Sequence, residues 1–201
     1  MSSELLNTAI LTRLSYYHLN AMVELYRAMG SATAIIEQRK ELRALMPALP
    51  QRIVEGLSDI DTMRRRAEEE LAYAEQNGIQ VLTPQDPRYP RRLEECPDAP
   101  LMLFYKGTAN LNQSHIINIV GTRHSTMYGQ DLVRRLIADL RHLCPDTLIV
   151  SGLAYGIDIC AHREALTQGF NTVGVLAHGL DDLYPQAHRD TANSMVSQGG
   201  L

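Results

Sequence analysis

Between residues 4 and 76 apolar side chains recur every three or four positions, the spacing that gathers them on one face of an α-helix. "AMVELYRAM" followed by Gly30 predicts a helix closed by a glycine. "SATAIIEQRKELRAL" restarts the pattern with Ser31 as N-cap, and Pro47 and Pro50 end it. "DTMRRRAEEELAYAEQNG" predicts a third helix, capped by Asp61, stopped at Gly78, with Met63, Ala67, Leu71 and Ala74 as its inner stripe. Arg64–Arg66 and Glu68–Glu70 lie three and four residues apart, which predicts a solvated face of paired charges. The Gly30 turn allows two readings. It is a hairpin glycine followed by N–H groups that face a phosphate, or a plain αα-turn that needs a left-handed residue.

The pattern changes after Gly78. Residues 79–113 carry short apolar runs broken by five prolines, and predict two short strands, "IQVL" and "LMLFYKG", joined by irregular chain. From residue 114 apolar runs alternate with amphipathic stretches: "IINIV", then "GQDLVRRLIADLRHL", then "TLIV", "IDICAHREALTQ", "TVGVLA" and "QAHRDTANSMVSQ". In the first helix of this series Leu132, Val133, Leu136, Ile137, Leu140 and Leu143 are expected on one face. The strand–helix alternation predicts a Rossmann-like α/β fold with a parallel sheet, its strands covered by helices on both faces. Leu201 is expected to open a fourth strand, making the chain a fragment whose sheet is truncated C-terminally. The expected domains are a small helical one over 1–78, a linker with accessory strands over 79–113, and a Rossmann-like one over 114–201.

Composition adds limits. The chain has 201 residues, 45% hydrophobic, with a net charge of -4. Cys96, Cys144 and Cys160 make no CxxC pair, and read as reduced thiols in a cytoplasmic protein. The N-terminal stretch lacks a basic region before an apolar one, and no apolar run approaches the roughly 20 residues of a membrane span. Residues 1–113 hold 13 Lys+Arg against 15 Asp+Glu, and residues 114–201 hold 6 against 8. A polyanion would therefore have to be held by a few focused groups rather than by a basic surface.

Those groups are expected where the strands end. In open α/β sheets ligands bind beyond the carboxyl ends of the strands. Three loops leave that edge, "VGTRHST", "VSGLAYGID" and "LAHGLDDLYP", and Gly121, Gly152 and Gly179 let the backbone turn closely there. Each loop feeds a helix N-terminus, whose unpaired N–H groups and partial positive charge attract anions. Arg123 is the only lysine or arginine in these loops, and its guanidinium suits a bidentate phosphate contact. The bland alternative is a surface ion pair with Asp181 or Asp182. Neither GxGxxG nor GxxxxGK[ST] is present. Ser151, Asp158 and His162 suggest a nucleophile, an orienter and a base, since Asp158 and His162 lie at i, i+4. Ser151 lacks a GxSxG elbow, so Asp158 and His162 read better as loop support, through a helix cap or an Asp–His hydrogen bond. His124, His178 and His188 fall on expected loops without metal-ligand spacing, and no metal or cofactor is expected.

"IVGTRHSTMYG", "VSGLAYGIDICAHREAL" and "GVLAHGLDDLYPQAHRD", with "DPRYPRRL" and "PLMLFYKG" before them, resemble the successive signatures of the DNA-processing protein A (DprA/Smf) family. The helical N-terminal part resembles that family's small SAM-like or helix-hairpin-helix domain. The resemblance implies an extended Rossmann fold that binds single-stranded DNA, protects incoming DNA in natural transformation and loads the RecA recombinase. It implies a cytoplasmic homodimer without catalytic activity. It assigns Gly121, Thr122, Arg123, Thr126, Tyr128 and Gly129 from the first motif, and Ser151, Gly152 and Gly156 from the second, to DNA and phosphate binding, and Tyr155 is expected to join them as a stacking face for a base. Asp158 and His162 support the loop. Two positions depart from the family's habit: Tyr155 stands where a basic residue is common, and His188 where asparagine is common. The family's later F-x-x-R-N-R segment is not in the sequence. The alternative is a Rossmann-like phosphoribohydrolase of the lysine decarboxylase-like type, whose PGGxGTxxE motif does not occur through Leu201.

Overall fold

The computed structural model describes residues 2–14 and 18–201. Residues 15–17, within the stretch expected to be helix-rich, lie outside the described residues. The chain divides into two compact units, Met1–Phe104 and Tyr105–Leu201, with the boundary inside a strand.

The first unit is helical: α1 (Ser3–Leu14), α2 (Leu19–Met29), α3 (Ala32–Glu37), α4 (Leu42–Leu45), α5 (Gln51–Gly56) and α6 (Ile60–Gln76). Ile10, Leu11, Met22, Leu25, Ile35 and Ile53 are fully buried in its core. Strand β1 (Gln80–Leu82) follows, then the one-turn helix α7 (Arg91–Glu94), and β1 pairs with β2 (Leu103–Tyr105). Tyr89 is buried in the proline-rich connection, and its hydroxyl donates to the Pro100 carbonyl at 2.6 Å.

Several local expectations are met and others corrected. Gly30 closes α2 in the left-handed conformation, φ 78°, with its N–H on the Tyr26 carbonyl. The helix expected from Ser31 breaks into α3 and α4, because the polar run Glu37–Glu41 offers nothing to the core between Ile36 and Leu42. Pro50 does not end a helix but occupies the N-cap position of α5, where its missing N–H costs nothing. Helix α6 starts one residue earlier than Asp61, with Asp59 at its N-cap position making no side-chain cap, so Asp61 lies in the first turn. The expected pairing along α6 is absent among the described residues: Glu70 reaches out of the helix to Arg13 at 3.4 Å, and Arg64–Arg66 join no ion pair.

The Gly30 turn is a plain αα-turn. Glu4 of α1 places its carboxylate at the start of α3, where it accepts from the Ala32 N–H at 2.8 Å, the Thr33 N–H at 2.9 Å and the Thr33 hydroxyl at 2.6 Å. The Ser31 hydroxyl accepts from the Ala34 N–H at 3.1 Å. The N–H groups that the hairpin reading offered to a phosphate are thus engaged by a carboxylate of the chain itself.

The second unit holds the parallel sheet. Its strands are β3 (Ile116–Asn118), β4 (Leu148–Ser151), β5 (Thr172–Gly174) and β6 (Gly199–Gly200), in the order β3-β4-β5-β6. Register runs Ile117 to Ile149, Val150 to Val173 and Val173 to Gly200. Leu201 lies just past β6, and residues Lys106–Ala109 line the far edge of that strand through hydrogen bonds to Gly199 and Leu201. Between the strands run α8 (Met127–Leu143), α9 (Ile157–Thr167), a 3-10 turn (Gln186–His188) and α10 (Arg189–Ser197). Val133 and Ile137 of α8 and Ala161 and Ala165 of α9 share a core with Ile149 of β4 and Phe170.

Strand β3 departs from the expectation of cover on both faces. It is an edge strand, with Ile116 and Ile117 half-buried and Asn118 exposed. The apolar face expected on α8 is likewise narrower. Val133, Ile137 and Leu140 pack inward, whereas Leu132, Leu136 and Leu143 stay exposed, because the helix rests on its neighbours along one line of contact.

Replacing Glu4 with alanine removes an acceptor shared by three donors and leaves the start of α3 uncompensated. We expect the first unit to lose about 2–3 kcal/mol. Urea unfolding followed by circular dichroism at 222 nm measures this, and a change within the error of the parent refutes it.

Candidate functional site

The three loops expected to meet at the carboxyl edge of the sheet do meet, and the contacts between them are specific. Gly156, at the N-cap position of α9, has φ 80° and ψ -120°, a conformation nearly closed to residues with a Cβ. A Cβ there would stand 2.2 Å from the Thr122 carbonyl oxygen and 2.6 Å from that of Arg123. The Ile157 N–H donates to the same Thr122 carbonyl at 3.2 Å. Gly121 packs so closely on Ile157 that a Cβ would fall 2.6 Å from its Cγ1. The first loop is therefore laid directly on the start of α9.

The second and third loops meet at His188 and Val175. The Val175 N–H donates to the Ser151 carbonyl at 2.8 Å. His188, expected on a loop, sits instead at the end of the 3-10 turn, buried, with Nδ1 2.8 Å from the Leu153 carbonyl. Its ring meets that of Tyr155 edge-on at 4.9 Å.

Arg123 is exposed, and its guanidinium joins no hydrogen bond or ion pair among the described residues. The surface pair with Asp181 or Asp182 does not form; Asp182 accepts instead from the Leu183 N–H and the Gln186 side chain. Arg134, the eighth residue of α8, is bound to Asp131 at 2.6 Å and to Gln130 at 3.3 Å. Tyr128 and Tyr155 are exposed near the same loops, as are Val120, Val175 and Tyr184, which the sequence reasoning did not single out. Their apolar side chains sit immediately beyond strand ends, and that position is the signal that would have found Val120 and Val175.

Fewer backbone donors are free than expected. The Gly152 N–H donates to Asp158 Oδ2 at 3.2 Å, the Gly129 N–H to the Thr126 hydroxyl at 3.2 Å, and the His124 N–H to the Thr122 hydroxyl at 3.2 Å. Thr126 is thus the N-cap of α8. The N–H groups of Met127 and Tyr128, in the first turn of that helix, make no hydrogen bond among the described residues. These two donors lie four and five residues after Arg123 in the sequence, at the N-terminal end of the α8 dipole.

The serine, aspartate and histidine do not form a relay. The Ser151 hydroxyl is buried and donates to the Ile119 carbonyl at 2.6 Å, tying β4 to the end of β3. Asp158 neither caps α9 nor bonds His162; it holds Gly152, and its Oδ1 is buried without a partner. The Thr172 hydroxyl donates to the Ile149 carbonyl at 2.9 Å, and its lone pair then receives the Nδ1–H of His162 at 2.7 Å. His162 Nε2 is left buried and unpartnered. Burial, and secondarily the neighbouring His188, push the His162 pKa down to about 4. Among the described residues no three His, Cys, Asp or Glu side chains converge as a metal site would need, and no helix is long and apolar enough to cross a membrane.

An open parallel sheet with close-turning loops at its carboxyl edge defines a Rossmann-like α/β protein without a dinucleotide fingerprint. The model of the family described as DNA recombination-mediator protein A matches residues 80–201, and the chain belongs to this family. Protein Smf of Synechocystis sp. is 38% identical over 129 residues, covering 62% of this chain and 32% of that protein. DNA processing protein DprA of Streptococcus pneumoniae is 41% identical over 104 residues, covering 52% and 36%. The X-ray structure of DNA processing protein A from Streptococcus pneumoniae overlays with a TM-score of 0.64 at 25% identity, covering 96% of this chain and 65% of that one. The chain spans about a third of the length of these two curated relatives.

Two outcomes test this geometry. Gly156→Ala forces a Cβ into two carbonyl oxygens at a backbone conformation that only glycine tolerates, and should cost about 2–4 kcal/mol; a thermal melt equal to the parent's refutes it. His162 titrates near 6.5 when unfolded and near 4 when folded, so the unfolded chain binds the proton first. Its contribution to stability is whole above the unfolded value and falls as the pH drops toward the folded one, by about 3 kcal/mol in all. Urea unfolding at pH 7 and pH 4.5 should show a steeper loss for the parent than for His162→Gln.

Proposed function

We propose that the carboxyl edge of the sheet binds single-stranded DNA, and that the protein acts as a recombination mediator without turnover. In this reading it protects incoming DNA during natural transformation and passes it to the RecA recombinase, as a cytoplasmic homodimer. The observation that carries the reading is the exposed Arg123, without a partner among the described residues, four residues before the free N–H groups at the start of α8. A phosphate placed there receives a guanidinium and a helix N-terminus together.

The remaining expected residues take distinct parts. Gly121, Thr122 and Gly156 shape the loop that presents Arg123; Gly129 and Thr126 form the start of α8; Ser151, Gly152, Asp158 and His162 hold the strand ends. Tyr128 and Tyr155 offer exposed rings to unstacked bases, at about 1–3 kcal/mol each. A flexible strand can bring phosphates and bases to so small a site, whereas a duplex keeps its bases stacked inside. Membership of a recombination-mediator family supports the substrate class. The separate engagement of Ser151, Asp158 and His162 supports binding without catalysis.

Arg123→Ala should weaken oligonucleotide binding by about 1.5–3 kcal/mol and lower the salt slope by about 0.7. Its melting temperature should stay near the parent's, since an exposed loop side chain contributes little to stability. Arg134→Ala should do much less, because Arg134 is already bound to Asp131. Salt titrations of labelled oligothymidylate by fluorescence anisotropy measure all three proteins, with duplex of equal length alongside. Parent-like binding by Arg123→Ala at every salt concentration, or equal affinity for duplex, counts against the reading.

A further inference from the structure

Leu153 is the one non-glycine residue with a positive φ, 59°, among the described residues. Such a backbone persists only where its surroundings fix it. Three restraints do so. The Leu153 side chain is wholly buried against Ile159, Ala192 and Met195. The preceding N–H, that of Gly152, is held by Asp158. The Leu153 carbonyl receives a hydrogen bond from His188 at 2.8 Å. A carbonyl accepts only, so His188 Nδ1 carries a proton in this contact.

The first two restraints come from the local helix and the core. The third comes from the 3-10 turn before α10, across the loop, and it is the one tied to the site's surface. The His188 ring also meets Tyr155 edge-on at 4.9 Å, and Tyr155 directly precedes Gly156, on whose backbone the Thr122 and Arg123 carbonyls rest. We infer that His188 is a positioning residue: its Nδ1–H fixes the Leu153 carbonyl and thereby sets Tyr155 and Gly156 where the Arg123 loop needs them. The part concerning ligand binding rests on the single-stranded DNA reading above. The ordering of the loop does not.

The experiment separates the two. His188→Asn keeps a donor near the place of Nδ1 but loses the ring; His188→Leu keeps bulk but loses the donor. Hydrogen exchange of the Gly152, Ile157 and Ile159 amides, each hydrogen-bonded at the ends of this loop, is measured in the unliganded proteins, and oligothymidylate binding by anisotropy, with melting curves alongside. We expect His188→Leu to exchange about tenfold faster at these amides and to bind about tenfold more weakly, the equivalent of one lost hydrogen bond. His188→Asn should match the parent in both within about twofold, a rescue that a space-filling role would not show. If His188→Leu does not fold, His188→Asn decides alone: parent-like protection supports the inference and fast exchange overturns it. Parent-like protection in His188→Leu overturns it too. If the parent binds no oligonucleotide while exchange follows the expected pattern, the DNA reading fails and the positioning role stands.

Discussion

The second unit depends on the absence of a side chain at residue 156. Helix α9 starts where the backbone must hold φ 80°, ψ -120° and pass against two carbonyl oxygens of the preceding loop. With that approach made, the Ile157 N–H can reach the Thr122 carbonyl, Ile157 can pack against Gly121, and α9 can lie beside α8. Arg123 projects from the segment held in this way. Among the described residues it joins no ion pair, and Asp182 of the third loop is engaged locally by Leu183 and Gln186.

The two units treat the start of a helix in opposite ways. At α3 the chain supplies its own anion: Glu4 fills the turn after Gly30 and joins α1 to α3. At α8 the cap uses Thr126 for one N–H, and those of Met127 and Tyr128 remain. The first arrangement strengthens a core and the second leaves a partial positive charge at the end of the loop that carries Arg123. A glycine before a helix is therefore not a phosphate site by itself. What matters is whether an acceptor from elsewhere in the fold arrives first.

The buried polar residues of the second unit show the same division of labour. Ser151, Thr172, His162 and Asp158 could be read together as a relay, yet each is bound to a different backbone or hydroxyl partner. Their common effect is to fix strand ends and the turn into α9. These internal bonds fix the backbone of the loops from which Arg123, Tyr128 and Tyr155 project.

Local sequence pattern was enough to place the alternation of strands and helices from residue 114, the glycine end of α2, the Ser31 cap and the three loops at the sheet's carboxyl edge. Those features depend on neighbours within a few residues, where apolar spacing, glycine and a capping hydroxyl act directly. Other features depended on partners far along the chain. Glu4 and the turn after Gly30 are separated by more than two dozen residues. His188 and Leu153 are separated by 35. The exposed row on α8 and the half-open β3 follow from which elements have neighbours, which no local pattern encodes. Sequence determined the elements and the residue types at the edge of the sheet. Only the tertiary structure decided which donors are already satisfied and that Arg123 meets no partner among the described residues, because hydrogen bonds and ion pairs form between groups that folding alone brings within reach.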